Sequence, residues 1–179
     1  MAIAKKKRKF LDVEIPLINK VTQLYAYDLK ETEGRTIKYD LTRIIRGKNV
    51  ILKTTVKVEG DKAIGIPKEI VVLPTYLKRM VRKGTSYVED SFLTNCKDAE
   101  IKIKPLLVTR RHVPREIKKA LRKKAKEELI EYAKNKTAEN IFQDVLKNNL
   151  QRDLGLKLKK IYPLSLCEIR LLEVKKSLA

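Results

Sequence analysis

The sequence predicts an α+β fold in which an antiparallel, barrel-like β-sheet core is flanked by amphipathic helices. Three observations support this fold class. Before residue 110, short runs alternate apolar and polar residues between turn signals, which is typical of strands. Between residues 115 and 161, apolar residues recur at three- and four-residue steps, which is typical of helices. Near the C-terminus the alternating pattern returns, so we expect strands and helices to share one fold.

Eight segments are predicted strands because they alternate in polarity or are rich in Val, Ile, Thr and aromatic residues. Pro16 ends the first segment, and Gly34 marks the turn before the third. The sequences EGDK and NCKD separate two successive pairs and predict hairpin turns there. The predicted strands are Phe10–Ile15, Val21–Tyr27, Thr36–Ile45, Asn49–Glu59, Ala63–Leu73, Thr85–Thr94, Ala99–Val108 and Leu166–Val174.

A short amphipathic helix is predicted between the fifth and sixth strands. Pro74 and Thr75 indicate its start, and Gly84 indicates its end. One face of this helix is apolar, and the other carries the cations Lys78, Arg79, Arg82 and Lys83.

The strongest helical pattern begins at Arg115. Pro114 suits the first turn, because the N–H that proline lacks would be unpaired there. Between Arg110 and Lys126 there are nine Lys or Arg residues and one acid, Glu116. One face is predicted to be an apolar stripe of Ile117, Ala120, Leu121, Ala125, Leu129 and Tyr132. Another face carries Arg115, Lys118, Lys119, Arg122 and Lys126. Like charges at these steps repel, which favours a polyanionic partner over the alternative of a solvated lysine face.

Two further helices are predicted after the long one. Thr137 suits the N-cap of the first, which has an apolar stripe that includes Ile141 and Val145. The second runs from Arg152 to Ile161 and contains Gly155, a residue of low helix propensity.

Length and charge limit the possible organisation and partners. The 179 residues suit one domain, so we predict a basic tail over residues 1–9 and a single α+β domain over residues 10–179. The net charge is +20 at pH 7. An excess of this size opposes a compact state unless a partner neutralises it, and the phosphates of RNA are such a partner.

The N-terminal tail contains an unbroken basic block, made of Lys5, Lys6, Lys7, Arg8 and Lys9. A nuclear import signal and a tail that lies on RNA both have this composition. We favour contact with RNA, because the rest of the chain is also basic.

The residue pattern predicts no enzyme, no cofactor and no metal site. His112 is the single histidine and has no evident nucleophile or orienting carboxylate, and Cys96 and Cys167 lack CxxC spacing. The GxGxxG, GxxxxGK[ST] and GxSxG motifs are absent. No apolar run approaches the roughly eighteen residues of a membrane span, and no apolar segment follows the basic start. We therefore expect a soluble intracellular protein with free thiols.

Tyr25 and Tyr27 are two residues apart, so a strand would place both on one side, as a base-stacking surface requires. Core packing is the preferred interpretation of the pair. Recognition of phosphates and of RNA shape is therefore expected to outweigh the reading of bases.

Three segments resemble the archaeal and eukaryotic small-subunit ribosomal protein family S-three-a, also called eukaryotic-type S-one. They are the basic segment KPLLVTRR at 104–111 leading into the long helix, VRKGTSYVEDSF at 81–92, and KKIYPLSLCEIRLLEVKK at 159–176. Tyr162, Pro163 and Leu164, which enter the last strand after a basic helix end, are the most specific part. Together these segments cover most of the chain after residue 72.

The resemblance implies a structural constituent of the cytoplasmic small ribosomal subunit, with a β-barrel-like core. It implies binding to small-subunit rRNA on the platform, near the mRNA exit and the 3′ end of that RNA, beside neighbours such as the universal S-eleven protein. The residues that we expect to contact rRNA are Lys5, Lys6, Lys7, Arg8, Lys9, Arg79, Arg82, Lys83, Arg110, Arg111, Arg115, Lys118, Lys119, Arg122, Lys123 and Lys126.

Three other functions stay open at this point. The first is a free-standing RNA-binding regulatory protein, and the second is an RNA-processing enzyme. The third is a basic helix on a membrane surface, which is disfavoured because the apolar stripe of the long helix contains Ala120 and Ala125 but no Trp or Phe.

Overall fold

A computed structural model of the protein describes residues 7–45 and 47–177, so Lys5 and Lys6 of the predicted contact set lie outside the described residues. The described chain forms nine strands and four α-helices, which confirms the α+β prediction. It divides into two compact units. The first consists of the described residues up to Tyr39 together with Leu52–Lys68, and the second consists of Asp40–Ile51 together with the described residues from Glu69 onward.

The first unit is built on strands whose alternate side chains face a small apolar core. Val13, Ile37, Val56 and Ala63 form this core, with Leu24 and Leu29 packed against it. Strand β1 pairs with β2 in antiparallel and with β5 in parallel orientation. The strands that contribute to this unit are β1 (Lys9–Ile15), β2 (Lys20–Ala26), β3 (Thr36–Asp40), β4 (Val50–Glu59) and β5 (Lys62–Val72), and the last three continue into the second unit.

The second unit is built around a long antiparallel pair, β8 and β9, whose register shifts three times. Residues Glu69–Val71 of β5 pair with the other edge of β9, and β6 and β7 both pair with β8. The elements of this unit are α1 (Pro74–Met80), β6 (Tyr87–Glu89), β7 (Phe92–Asn95), β8 (Ala99–Thr109), α2 (Arg115–Lys134), α3 (Ala138–Leu146), α4 (Asn149–Leu158) and β9 (Leu164–Ser177).

The barrel-like core is not confirmed. The pairing order of the described strands is β2-β1-β5-β9-β8-β6, with β3, β4 and β7 joined at its sides, and it does not close. A barrel needs its first and last strands to pair with each other. Here β2 pairs with β1, and β6 is only three residues long and pairs with β8.

Among the predicted elements that differ from the structure, three end early or divide at a local polar bond or turn, and the last helix spans Asn149–Leu158 instead of Arg152–Ile161. β3 stops at Asp40, where the carboxylate accepts hydrogen bonds from Thr42 N (2.8 Å) and Thr42 Oγ1 (2.5 Å). The strand predicted over Thr85–Thr94 is divided into β6 and β7 around Asp90, which accepts a bond from Ser91 N. The first helix ends at Met80 rather than at Gly84, because the backbone of Val81 is extended.

The underside of α2 differs from the predicted stripe at two positions, because Ala133 is buried and Ala120 is not. Leu121, Ala125, Leu129 and Ala133 are buried at four-residue steps, each at most 1% exposed. Ile117 and Tyr132 are half-buried at the edges of the stripe, whereas Ala120 is exposed. The stripe is therefore narrow, and the rest of the circumference is left to polar and charged side chains.

The prediction for Thr137 is confirmed, because its hydroxyl accepts a bond from Asn140 N at the start of α3. No described helix combines the length and the apolar character that a membrane crossing requires.

Candidate nucleic-acid interface

The segment between β8 and α2 is held by a buried hydrogen-bond network that turns two arginines outward. Thr109 Oγ1 donates to Ser86 O (2.9 Å) and accepts from Ser86 N (3.0 Å). Val113, which is 2% exposed, donates its N–H to Ser86 Oγ at 3.3 Å. Because Thr109 and Val113 are both anchored inside, Arg110 and Arg111 between them lie exposed at the surface.

The α2 basic face consists of eight residues that begin in this segment and continue over the first three turns of the helix. Seven of the eight side chains are exposed, and Lys118 is half-buried. A 20-residue helix with its apolar stripe buried holds these side chains in fixed rows. The α2 basic face is defined as Arg110, Arg111, Arg115, Lys118, Lys119, Arg122, Lys123 and Lys126.

Nothing in the described fold neutralises this face. Among residues 7–45 and 47–177, no carboxylate lies within 4.0 Å of a nitrogen of these eight side chains. The closest attractive contact is that of Lys126 Nζ, which lies 5.8 Å from the centroid of the Phe92 ring. Cations at three- and four-residue steps repel one another, and those near the N-terminus also oppose the helix dipole. The α2 basic face therefore destabilises the free helix and is suited to a polyanion.

The start of α2 adds uncapped backbone donors to these charges. Pro114 lies at the N-cap position, one residue before the helix rather than in its first turn as predicted. It provides no side-chain cap, so the first N–H groups of α2 can donate hydrogen bonds to an anion.

Arg122 has the most mixed surroundings on the α2 basic face. It borders a groove of about 470 Å³ that Glu89, Asp90 and Arg170 also line. Glu89 is already paired with Arg170 at 3.2 Å. Asp90 is not within 4.0 Å of any cation in the described chain, so it lowers the positive field around Arg122 more than around Arg115.

The other end of α2 has the opposite character, and we call it the ion-paired end. Glu128 accepts from Lys124 (3.0 Å) and from Lys157 of α4 (2.5 Å). Tyr132 donates to Asp144 of α3 at 2.6 Å. The ion-paired end comprises Lys124, Glu128, Tyr132, Lys136, Asp144 and Lys157. These contacts join three helices.

The protonation equilibria at the ion-paired end reflect these contacts. Hydrogen bonds from Lys157 and Lys124 lower the pKa of Glu128 below its ordinary value of 4.5. Burial opposes the charged form of Asp144, but hydrogen bonds from Lys136 and Tyr132 outweigh it and lower the pKa of that carboxyl. The hydrogen bond to Asp144 in turn raises the pKa of Lys136. Both carboxylates are therefore charged at neutral pH and stabilise the packing of the helices.

A second cationic surface, the α4–β9 groove, adjoins the α2 basic face at Arg110. Its volume is about 610 Å³, and its lining includes Lys48, Arg110, Arg152 and Lys159. Lys48 is 2.5 Å from Glu168, a carboxylate that is 4% exposed. Arg152 and Lys159 are exposed, and neither forms an ion pair with a described residue. The groove thus combines three unpaired cations with the apolar edge of Leu156.

The sequence analysis did not identify Lys48, Arg152 or Lys159. Arg152, Leu156 and Lys159 follow one another at four- and three-residue steps, which places them on one face of α4. That spacing could have been recognised in the sequence. The approach of Lys48 could not, because it depends on a contact with Glu168 across 120 residues.

The remaining predicted contacts lie on other elements of the chain. Arg79 lies on α1, whereas Arg82 and Lys83 lie in the turn after it, and all three are exposed. Lys7, Arg8 and Lys9 are exposed in the first unit.

The described residues show no arrangement typical of catalysis. His112 is exposed and has no hydrogen bond or ion pair within residues 7–45 and 47–177. Both cysteines are free; Cys96 donates to Ala99 O, and burial raises the pKa of Cys167 to about 12. No three His, Cys, Asp or Glu side chains in the described chain are placed to hold a metal ion.

Comparison with known proteins gives a consistent result. The model of the Ribosomal S3Ae family matches residues 5–177. The chain is 32% identical over 140 residues to small ribosomal subunit protein eS1 of Pyrobaculum arsenaticum, which covers 77% of this chain and 64% of that protein. It is 25% identical over 167 residues to the eS1 protein of Nanoarchaeum equitans, with 88% and 84% covered.

A third relative is similar over a shorter stretch. The eS1 protein of Methanothermobacter thermautotrophicus is 33% identical over 99 residues, which cover 55% of this chain and 51% of that protein. The chain thus spans between half and two thirds of the length of two of these relatives.

Proposed function

Because the chain belongs to the Ribosomal S3Ae family, as the residues around Arg110 and Tyr162 predicted, we propose that it is a structural constituent of the small ribosomal subunit. It binds small-subunit rRNA through the α2 basic face and acts in the cytoplasm. The relatives are small ribosomal subunit proteins by name, and that shared name supports a structural rather than an enzymatic role.

One observation carries the proposal. The eight cations of the α2 basic face have no carboxylate partner in the described chain, although Glu128 on the same helix pairs with two other lysines. Unpaired like charges raise the free energy of the isolated protein. A phosphate backbone that lies along α2 removes this cost and releases its counterions.

The mechanism is neutralisation and clamping. Arg110, Arg111, Arg115 and Arg122 are suited to bidentate phosphate contacts, because the guanidinium fork matches two oxygens of one phosphate. The four lysines of the face contribute adaptable point charges. The α4–β9 groove extends the surface beyond Arg110, so an RNA segment can engage Arg152 and Lys159 as well.

The finer placement rests on the family resemblance. We propose that the protein lies on the platform of the small subunit, near the mRNA exit and the 3′ end of the small-subunit rRNA. The universal S-eleven protein is the neighbour that we expect first.

Charge-matched variants test the proposal in a binding assay with fragments of small-subunit rRNA. The variant R115Q/R122Q removes two charges from the α2 basic face, and the control K97Q/K134Q removes two exposed charges near the other end of α2. If six to ten phosphates are engaged, wild-type affinity should fall roughly 10³- to 10⁵-fold between about 50 and 200 mM salt. The variant should lower the slope of log affinity against log salt by about 0.9 per lost phosphate contact. Equal slopes for variant and control would contradict this interface.

Sedimentation of cell extracts separates the proposal from its alternative, a free-standing RNA-binding regulatory protein. A stoichiometric presence in small subunits that survives washing at moderate salt is expected. Recovery in the soluble fraction alone would overturn the structural role and favour the regulator.

A further inference from the structure

The β1–β2 ribbon of the first unit exposes three aromatic side chains on one face. Phe10 is 69% exposed, Tyr25 is 52% exposed and Tyr27 is 39% exposed. These values show that core packing was the wrong interpretation of the two tyrosines. We call the three rings and the Arg8 side chain the aromatic platform.

The strand register explains why the rings meet. Phe10 lies directly opposite Tyr25, and Lys9 lies opposite Ala26. Arg8 lies just before β1 and Tyr27 just after β2, and the Arg8 guanidinium contacts the rings of both Tyr25 and Tyr27, so these side chains share one face. Ala26 and Val13 are buried on the other face. The pairing of β1 with β2 therefore places the rings on the outer surface of the ribbon.

The geometry is that of an open stack. The ring centroids of Phe10 and Tyr25 are 5.1 Å apart at an interplanar angle of 45°. The Arg8 guanidinium lies 4.9 Å from the Tyr27 centroid and 6.0 Å from that of Tyr25. Exposed rings gain little of the apolar burial that usually retains aromatic residues in a fold. A ligand that covers their faces would gain it.

The charges around the platform favour a nucleic acid over a protein. Lys7, Arg8 and Lys9 lie at the end of the ribbon that carries the rings, and all are exposed. One carboxylate near Tyr27 is neutralised, because Glu31, which accepts from Tyr27 N, pairs with Arg35 at 2.7 Å. Asp12 and Glu14 follow Phe10 on the same face of β1, so they bound the platform on its other side.

We propose that the aromatic platform stacks unpaired bases of single-stranded RNA, while Arg8, which lies over the tyrosine rings, holds an adjoining phosphate. Stacking on aromatic side chains is tolerant of sequence, because every base has a π-face. The platform shares no residue with the α2 basic face, which consists of cations suited to phosphates. The proposal rests on the proposed function only in that the ligand is RNA.

The test uses the full chain and two RNA probes, read by fluorescence anisotropy. One probe is an oligouridine of about ten nucleotides, and the other is an RNA duplex of about 16 base pairs. Replacing Phe10, Tyr25 or Tyr27 by Ala should each weaken oligouridine binding about 5- to 100-fold. Duplex affinity should change less than about twofold, because the duplex offers no unpaired base.

Two controls isolate stacking from general damage. Val21→Ala changes another apolar side chain of the ribbon, 59% exposed, and should leave both affinities as in the wild type. Tyr25→Phe keeps the ring and should retain oligouridine affinity. The protein has no Trp, so its tyrosine fluorescence can be followed. Oligouridine should quench this fluorescence in the wild type. The quenching should be smaller in the double variant Tyr25→Phe/Tyr27→Phe.

Three results would overturn the inference. One is unchanged oligouridine affinity in Tyr25→Ala, and another is an equal loss of affinity for both probes. The third is unchanged oligouridine affinity together with altered self-association in sedimentation velocity, which would make the platform a protein-contact face. R115Q/R122Q distinguishes the two proposals, because it lowers duplex affinity if the α2 basic face is correct, whatever the platform variants do.

Discussion

The two ends of α2 carry cations in opposite electrostatic settings. Over its first three turns and the segment before it, eight cations face outward without a carboxylate partner in the described chain. Toward its end the lysines pair with carboxylates at 3.0 Å or less. They are Lys124 of α2, Lys136 just after α2, and Lys157 of the neighbouring α4. One helix therefore separates charges that stabilise the fold from charges that the fold leaves available.

This difference distinguishes cations that are available for binding from cations that stabilise the fold. A lysine that holds two helices together is already engaged, and its loss should affect stability first. A cation repelled by its neighbours gains most from an external anion, and its loss should affect binding first. The following predictions test that separation, beginning with the largest effect.

Leu121→Ala tests whether the α2 basic face depends on its buried underside. Leu121 is fully buried, so the substitution should cost about 2–5 kcal/mol of unfolding free energy through lost burial and a cavity. Rows of cations that are no longer held together should bind RNA less tightly. Urea denaturation and RNA titration of the same sample measure both effects.

The matched control is Leu93→Ala, which makes the same change at a side chain that is 53% exposed. It should change the unfolding free energy by less than about 0.5 kcal/mol. If the two variants were equally stable, the buried stripe would not be what holds α2.

Glu128→Gln should weaken the ion-paired end without changing RNA affinity. Hydrogen bonds from Lys157 and Lys124 lower the pKa of Glu128 in the folded protein. Its contribution to stability is therefore present above its unfolded pKa and is lost as pH falls through the folded pKa. The difference in Tm between wild type and variant should be largest near neutral pH and vanish in strong acid.

The contribution of Glu128 to the free energy of unfolding should be about 1 kcal/mol or less, because its lysine partners are exposed. Glu127→Gln removes an exposed, unpaired carboxylate from the neighbouring position and should leave the Tm at neutral pH close to that of the wild type. A loss of RNA affinity in Glu128→Gln at neutral pH would contradict the separation of the two ends.

Gly155→Ala should increase stability slightly. A Cβ at Gly155 would lie 3.7 Å from Cys167 Cβ, an ordinary contact, so α4 gains helix propensity without a clash. The expected gain is about 0.5–1 kcal/mol. Gly84→Ala is the contrasting variant, because Gly84 has φ +80 and should resist a side chain. A lower Tm for Gly155→Ala would show that α4 and β9 pack more tightly than this distance indicates.

Much of the fold could be predicted because local patterns dominate it. Thr137 and the four-residue steps from Leu121 to Leu129 define helix starts and buried faces by rules that need no distant contact. The hairpins around Gly60 and Lys97 were recognisable from turn chemistry. The return of strand β9 was visible because Ile169 and Leu171 alternate with charged neighbours.

The rest depends on contacts that periodicity does not encode. Whether a sheet closes is decided by its edge strands, and β6 is shortened by Asp90. The alternating pattern around Tyr25 is the same whether its side chain is buried or exposed. The sequence therefore did not determine which face of the ribbon carries Tyr25. The contribution of Lys48 to the α4–β9 groove requires that Glu168 be nearby. The eight cations of the α2 basic face were identified, whereas their lack of partners required the fold.

The most direct measurement compares lysine acetylation in isolated small ribosomal subunits with that in the free chain, residue by residue, by mass spectrometry. Lys118, Lys119, Lys123 and Lys126 should react readily in the free chain and be protected in the subunit. Lys97 and Lys134 should show a smaller change. If the lysines of the α2 basic face are as reactive in the subunit as in the free chain, that face does not bind rRNA and the central claim is wrong.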